Sequence, residues 1–150
     1  MSEIYKIEKD IRCYRVKAVS FPEGVMAAHQ QLHKLFTFDG KRRFFGISRP
    51  EGGGKISYWA AAEIMDGDIN NNNLEEFIIP AGNYWGKDIQ QFRKDIPEVG
   101  RTFQQLLMHP QLDHNGFCLE WYPNMEDVRC MVPLKEETNR YGPYPFIPDI

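Results

Sequence analysis

Two carboxylates lie in stretches of the sequence that otherwise carry no charge. Glu120 lies within Phe117-Cys-Leu-Glu-Trp-Tyr122, and Glu63 directly follows Trp59-Ala-Ala-Ala. A carboxylate in an apolar strand must be solvated, paired or placed in a cavity, because its burial alone is costly. Among aromatic rings a desolvated carboxylate suits a delocalised cation, and beside a water it can act as a general base. For each residue the alternative is a solvent-facing strand position.

Aromatic residues accompany both acids and predict a lined cavity. The chain has three Trp, seven Tyr and ten Phe, and many of them lie beside turn residues. Trp59 lies on the same face of its strand as Glu63, because side chains alternate along a strand. Tyr84 and Trp85 follow Pro80-Ala-Gly82 and can project into the same cleft, with ordinary core packing as the alternative.

Two glycine-containing segments resemble catalytic or phosphate-binding motifs only in part. Gly52-Gly-Gly-Lys55 has Arg49 where a phosphate-binding loop needs Gly and Ile56 where it needs Ser or Thr, so it predicts a hairpin turn. The chain contains no G-x-G-x-x-G, so nothing indicates a dinucleotide fold. Gly46-Ile-Ser48 lacks the second Gly of a nucleophile elbow, which argues against acyl transfer.

Two histidines have the spacing of a helical metal site. His29 and His33 are four residues apart, but Gln30 occupies the position of the general base in H-E-x-x-H. His29 also lies on the apolar stripe of its segment, where a hydrogen-bonded core histidine is the simpler interpretation. We expect no metal and no other cofactor.

The composition predicts a single cytoplasmic domain. A chain of 150 residues fits one domain, and its 18 basic and 21 acidic residues leave no basic surface for direct DNA binding. The three cysteines form no C-x-x-C pair, which favours reduced, buried thiols. No signal peptide and no apolar run of membrane-spanning length is visible.

Periodicity predicts the elements that must position these residues. The first half reads as a strand over 11–21, a helix from Val25 to Phe36, and strands over 44–48 and 56–65 on either side of the glycine-rich turn. After an asparagine-rich linker, the second half reads as a strand over 77–85 interrupted at Pro80, two short helical segments around Pro97, and strands over 117–122 and 128–134.

The predicted order is therefore strand–helix–strand–strand written twice. This indicates an α+β fold of two tandem modules, with antiparallel sheets related by a pseudo-twofold axis and a ligand cleft between them. The pseudo-repeats span about 4–66 and 74–135. The tail over 136–150 is either packed on the body or disordered.

Several segments together resemble the GyrI-like small-molecule-binding domains, which also occur as effector-binding halves of bacterial AraC-type and MerR-type regulators. The resemblance covers about Ile11 to Leu134. Its carriers are Phe45-Gly-Ile47, Tyr58-Trp-Ala-Ala-Ala-Glu63, Ile79-Pro-Ala-Gly-Asn-Tyr84, Leu119-Glu-Trp-Tyr-Pro-Asn124 and Cys130-Met-Val-Pro-Leu-Lys135.

The resemblance implies a glutamate buried in the penultimate strand, which corresponds to Glu120. In multidrug-sensing relatives this glutamate meets cationic aromatic drugs between stacked tyrosines and tryptophans. Two features depart from the family. No helix-turn-helix is attached within the 150 residues, and Asn83-Tyr84-Trp85 replaces a Gly-Tyr-Ala stretch, which could narrow the pocket. The ligand-binding residues that we predict are Glu120, Glu63, Trp59, Tyr58, Phe45, Tyr84, Trp85 and Tyr122.

Three functions remain open at this point. The first is a stand-alone binding protein for apolar, aromatic or cationic small molecules, linked to transcriptional regulation or to drug or toxin resistance. The second, known among relatives, is a hydrolase of strained cyclopropane rings, with Glu120 as base, Glu63 as its proton partner and Tyr84 as a donor. The third is a protein-binding regulator such as a gyrase inhibitor, with a patch at Tyr141, Tyr144 and Phe146. The sequence leaves open whether the protein is a monomer or a dimer.

Overall fold

The structure is a computed structural model and describes residues 1–136 of the chain. Within this range eight strands form one sheet, joined by two α-helices and a one-turn 3₁₀ helix. The strands are β1 (Glu3–Ile7), β2 (Ile11–Lys17), β3 (Phe44–Gly52), β4 (Lys55–Glu63), β5 (Glu75–Ile79), β6 (Gly82–Ile89), β7 (Cys118–Trp121) and β8 (Val128–Pro133). The helices are α1 (Val25–Leu35), α2 (Pro97–Leu106) and the 3₁₀ turn (Phe92–Lys94).

The strand order places the two halves of the chain side by side. The order is β1-β6-β8-β7-β3-β4-β2-β5, and each of the seven pairings is antiparallel. β7 of the second half lies next to β3 of the first half, and Gly46 faces Glu120 in this central pair. The edge strands are exchanged, because β1 pairs with β6 and β5 pairs with β2. The α+β class is confirmed, while the pseudo-twofold axis stays a prediction.

Both α-helices lie on the same side of the sheet, which we call the helix side. α1 packs mainly on β2 and β4, and α2 packs mainly on β6 and β8. Ala28 and Leu32 anchor α1, whereas Thr102 and Leu106 anchor α2. The central pair of strands, β3 and β7, therefore lies between the two helices.

The opposite side of the sheet, which we call the helix-free side, carries its own apolar cluster. This cluster comprises Ile11, Cys13, Phe45, Ile47, Trp59, Ala61, Ile79, Tyr84, Leu119 and Met131. These residues are buried although no helix contributes to the cluster, because the sheet curls around them. Central strands are thus apolar on both sides, and alternation places Tyr58 and Trp59 on opposite sides.

One secondary-structure element in each half of the chain differs from the sequence predictions. The edge strand β1 was not expected, because its short alternation becomes a strand only by pairing with β6. The first of the two helical segments predicted around Pro97, based on Ile89, Phe92 and Ile96, is wrong. Ile89 ends β6 opposite Val128, and only the 3₁₀ turn follows before Pro97. Gln91 has a positive φ of 53°, which separates the strand from that turn.

Three further observations bear on the sequence predictions. Cys13, Cys118 and Cys130 are all buried and free. In the described part of the chain, neither helix is long and apolar enough to cross a membrane. The patch predicted at Tyr141, Tyr144 and Phe146, and the tail beyond Glu136, lie outside the described residues.

Candidate functional site

Glu120 lies at the centre of the sheet on the helix side, between two tyrosine hydroxyls. Tyr58 on β4 donates a hydrogen bond to Glu120 Oε1 over 2.7 Å, and Tyr122, just after β7, donates to the same oxygen. Among residues 1–136, the side-chain hydrogen bonds of Glu120 end on Oε1 and no cation pairs with its carboxylate. The carboxylate is therefore held by neutral groups.

Gly46 provides the space in which this arrangement forms. It faces Glu120 across the β3–β7 pair. A Cβ added to Gly46 would overlap both the Tyr58 hydroxyl and Glu120 Oε1. Any other residue at this position would push the hydroxyl and the carboxylate apart, so glycine is needed here for close approach.

His29 of α1 extends the group of polar side chains. Its Nε2 lies 2.7 Å from the Tyr58 hydroxyl oxygen. Its ring also meets the Tyr122 ring edge-on, with 5.3 Å between centroids. We call Glu120, Tyr58, Tyr122 and His29 the central cluster.

Two phenylalanines flank the central cluster at its outer edge. Phe21, in the loop before α1, lies 5.9 Å from the Tyr58 ring and is 40% exposed. Phe92, in the 3₁₀ turn, lies 5.7 Å from the Tyr122 ring. The carboxylate thus lies beneath aromatic rings contributed by both halves of the chain.

Burial controls the electrostatics of the central cluster. It raises the pKa of the Glu120 carboxyl, while the hydrogen bonds from Tyr122 and Tyr58 act in the opposite direction. Burial, followed by the charges of His33 and Arg93, lowers the pKa of His29 to about 4. The pKa values of Tyr58 and Tyr122 are raised well above normal by burial and by the nearby Glu120. At neutral pH the tyrosines and the histidine are therefore uncharged, and Glu120 is the one group that can bring charge to the cluster.

The structure separates the predicted site residues into groups. Glu120, Tyr58 and Tyr122 come together on the helix side. Phe45, Trp59 and Tyr84 instead belong to the apolar cluster on the helix-free side. The Tyr84 hydroxyl donates to the carbonyl of Pro80 over 2.7 Å. Trp85 packs in the apolar cluster beneath α2, with 4.9 Å between its ring and that of His109.

Glu63 is not brought to Glu120. Its carboxylate forms an ion pair of 2.7 Å with Arg43, and this hydrogen-bonded partner lowers the pKa of Glu63. Alternation along β4 places Glu63 on the side of Trp59, away from Tyr58 and Glu120. The two carboxylates therefore do not converge on one reacting centre.

The two histidines of α1 do not form part of a metal cluster. Their rings are 6.5 Å apart, and the His33 ring stacks on Phe44 with 4.7 Å between centroids. In the described part of the chain, no three His, Cys, Asp or Glu side chains are arranged to hold a metal ion.

Three contributors to the site, His29, Phe21 and Phe92, were not predicted from the sequence to be site residues. The apolar stripe of α1 indicated that His29 faces the sheet. It could not indicate the hydrogen-bond partner of His29, because Tyr58 lies 29 residues further along the chain. Phe21 and Phe92 lie in a loop and in a single turn, where no periodicity shows which way a side chain faces.

Two open grooves lie elsewhere on the surface. The larger, of about 740 Å³, is lined mainly by β5, β6 and the segment before β7, including Phe77, Tyr84 and Phe117. The smaller, of about 400 Å³, lies between the loop before α1 and the β3–β4 hairpin. Glu120 lines neither groove, and Glu120, Tyr122 and His29 are each only partly buried.

Comparisons with known proteins establish the fold. No protein-family model matches the sequence, and no curated protein gives a match. Among solved structures, the C-terminal domain of EcmrR matches with a TM-score of 0.65 at 10% identity, over 91% of this chain and 98% of that one. SAV2435 bound to tetraphenylphosphonium matches with a TM-score of 0.59 at 14% identity, over 94% and 98% of the two chains.

A third match extends the comparison to another source. An integron cassette protein from the mobile metagenome of Vibrio cholerae gives a TM-score of 0.63 at 11% identity, over 89% of this chain and 95% of that one. These three matches cover 95–98% of the chains they are compared with. The class that they define is the GyrI-like domain, and this chain has the GyrI-like fold.

Proposed function

We propose that this chain is a small-molecule-binding domain that holds an aromatic cation against Glu120, between α1 and α2 and above β3 and β7. The observation that carries the proposal is a largely buried carboxylate held by two tyrosine hydroxyls. No cationic side chain among residues 1–136 pairs with it.

The chemistry of the surroundings selects the kind of cation. A small hydrated ion would need several oxygen ligands to replace its water, whereas this site offers one carboxylate among rings. A delocalised aromatic cation loses less hydration on burial and gains about 0.5–2 kcal/mol from each ring face it contacts. The match to SAV2435, whose structure contains tetraphenylphosphonium, supports this class of ligand.

The ligand reaches the central cluster from the helix side, where Glu120, Tyr122 and His29 are partly exposed, and it makes room by displacing neighbouring side chains. Phe21 and Phe92 come from a loop and from a single 3₁₀ turn, which are easier to displace than the strands. We therefore place the entrance between these two rings. Bound ligand would then stack on Tyr58 and Tyr122.

The wider role follows from the fold. The likeness to EcmrR, which has also been solved in complex with DNA, supports a role as a cytoplasmic sensor or sequestering protein, linked to transcriptional regulation or to resistance against toxic compounds. The strand order β6-β8-β7 beside β3-β4-β2 supports two halves related by a pseudo-twofold axis, with Glu120 at their junction.

The experiment is a calorimetric titration with tetraphenylphosphonium and, separately, with the neutral triphenylphosphine oxide. We expect Glu120→Gln to weaken binding of the cation about tenfold, or about 1.4 kcal/mol, and to change binding of the neutral compound little. Glu63→Gln is the matched control, because it removes a carboxylate that is already paired with Arg43. Equal loss for both compounds would show that Glu120 shapes the site without supplying charge.

The hydrolase alternative has less support from the geometry. Glu120 still lies near a possible donor, the Tyr122 hydroxyl, but Glu63 lies on the other side of the sheet and Tyr84 donates to Pro80. Turnover of a cyclopropane-bearing alkylating compound, lost in Glu120→Gln, would favour this alternative over simple binding.

A further inference from the structure

The hydroxyl of Tyr58 is the most connected atom of the central cluster. It lies 2.7 Å from Glu120 Oε1, 2.7 Å from His29 Nε2 and 3.4 Å from the Tyr122 hydroxyl. A phenol has one proton to donate. The Tyr58 hydroxyl can therefore donate to only one of its three neighbours, and it must act as an acceptor in any other hydrogen bond that it forms.

The direction follows from the oxygen that the two tyrosines share. Both hydroxyls approach Oε1, so this oxygen acts as the acceptor of two hydrogen bonds. An oxygen of an ionised carboxylate accepts in this way, and such charge-assisted bonds are the stronger kind. Tyr58 then has no proton left for His29, so the short contact between them requires His29 to donate from Nε2.

We propose that His29 is a positioning residue of the Glu120 site: its Nε2–H group donates to Tyr58 and turns the Tyr58 proton toward Glu120, which stabilises the carboxylate form that a cationic ligand needs. The chain of donors runs from His29 to Tyr58 to Glu120. The part concerning the cation rests on the proposed function, whereas the direction of the hydrogen bonds does not.

The remaining groups near the cluster supply no competing positive charge next to Glu120. The titratable and charged groups that face it, or that face His29, are Tyr58, Tyr122, Cys118, Cys130, His33 and Arg93. Burial and the nearby Glu120 raise the pKa values of the two thiols, so both are neutral. Arg93 donates to the carbonyl of Met125 and lies close enough to His29 to disfavour its protonation. His29 therefore acts as a neutral donor.

The first test uses the unmodified protein. Long-range ¹H–¹⁵N spectra distinguish the two tautomers of a neutral imidazole. We expect His29 to carry its proton on Nε2 at pH 7, with and without tetraphenylphosphonium. A proton on Nδ1 would overturn the proposal, because Tyr58 would then have to donate to His29.

The second test measures how His29 affects Glu120. The midpoint of Glu120 titration is followed by the ¹³C signal of its carboxyl group in the wild type, His29→Phe, His29→Gln and His33→Phe. We expect His29→Phe to raise the midpoint by about one pH unit, because the donor to Tyr58 is lost. His29→Gln keeps an N–H donor and should restore most of the wild-type value.

His33→Phe is the matched control, since it replaces a histidine of the same helix that stacks on Phe44. It should leave the midpoint within about 0.3 pH units of the wild type, well below the typical spread of protein pKa values. Equal midpoints in all four proteins would overturn the proposal.

Binding then separates this inference from the proposed function. We expect the pH dependence of tetraphenylphosphonium affinity to move upward in His29→Phe by the same amount as the Glu120 midpoint. If the cation binds nowhere while the tautomer and the midpoints are as expected, the proposed function fails and the positioning role remains. If the cation binds but its pH dependence is unchanged in His29→Phe, the positioning role fails.

Discussion

The two sides of the sheet differ in the charged groups that their aromatic rings contact. On the helix-free side, aromatic rings already carry the protein's own cations. The Arg15 guanidinium lies 4.3 Å from the Trp59 ring and 4.3 Å from the Phe77 ring, and Arg49 lies 4.5 Å from Phe117. On the helix side, Arg42 lies over Phe36 and Arg93 lies over Phe92. The Tyr58 and Tyr122 rings carry no such arginine among the described residues and surround an acid instead. An aromatic ring already stacked on an arginine has less to offer an external cation, so this difference supports the proposed placement of the ligand against Tyr58 and Tyr122.

Gly46→Ala should have the largest effect on the helix-side site, because the added methyl group fills the space between Tyr58 and Glu120. Forcing a methyl group into this contact should destabilise the fold by about 1–3 kcal/mol and abolish binding of tetraphenylphosphonium. Denaturant unfolding and calorimetry measure the two effects. Gly100→Ala in α2 is the control, since a Cβ there meets nothing within 4 Å. If Gly46→Ala behaves like Gly100→Ala, the close approach at Glu120 has no role.

A pair of aromatic substitutions compares the two sides directly. Tyr122→Phe removes a donor to Glu120, and we expect it to weaken tetraphenylphosphonium binding about fivefold, equivalent to about 1 kcal/mol. Trp59→Leu removes a ring that Arg15 and Lys17 already face, so it should lower stability without changing affinity in the folded protein. A greater loss of affinity in Trp59→Leu than in Tyr122→Phe would move the site to the helix-free side.

The sequence could predict the elements better than the side on which each residue lies. Alternation correctly separates Tyr58 from Trp59, but β4 is buried on both sides, so its pattern does not show which residue faces the helices. The pairing of Glu63 with Arg43 depends on the β3–β4 register. Arg43 precedes β3 in a basic segment that gives no sign of a partner twenty residues further along.

The central cluster illustrates the same limit across longer distances. Glu120 was expected at the junction of two halves, and it faces Gly46 in the central pair of strands. What brings Tyr58 and His29 to it is the side-by-side placement of β7, β3 and β4 with α1 above them. These contacts are spread over about ninety residues of the chain, and no local pattern encodes them.

The smallest expected effect contrasts the two acids through the pH dependence of stability. Burial raises the pKa of Glu120 in the folded protein. The fold therefore loses stability as the pH rises from the ordinary pKa of a glutamate to the raised pKa of Glu120, because ionisation is less favourable in the folded protein than in the unfolded chain. Glu120→Gln should therefore stabilise the fold relative to the wild type by an amount that grows with pH until Glu120 is fully ionised in the folded protein.

Glu63 should show the opposite trend. Arg43 lowers the pKa of Glu63 in the folded protein. The contribution of Glu63 to stability is therefore fully present above the ordinary pKa of a glutamate, and it is lost as the pH falls through the lowered pKa. Because the pair is partly exposed, Glu63→Gln should cost only a few tenths of a kcal/mol at pH 7 and less near pH 3. Thermal unfolding of both variants and the wild type between pH 3 and 8 measures the two trends. Parallel curves for Glu120→Gln and the wild type would mean that Glu120 is no more desolvated in the folded protein than in the unfolded chain.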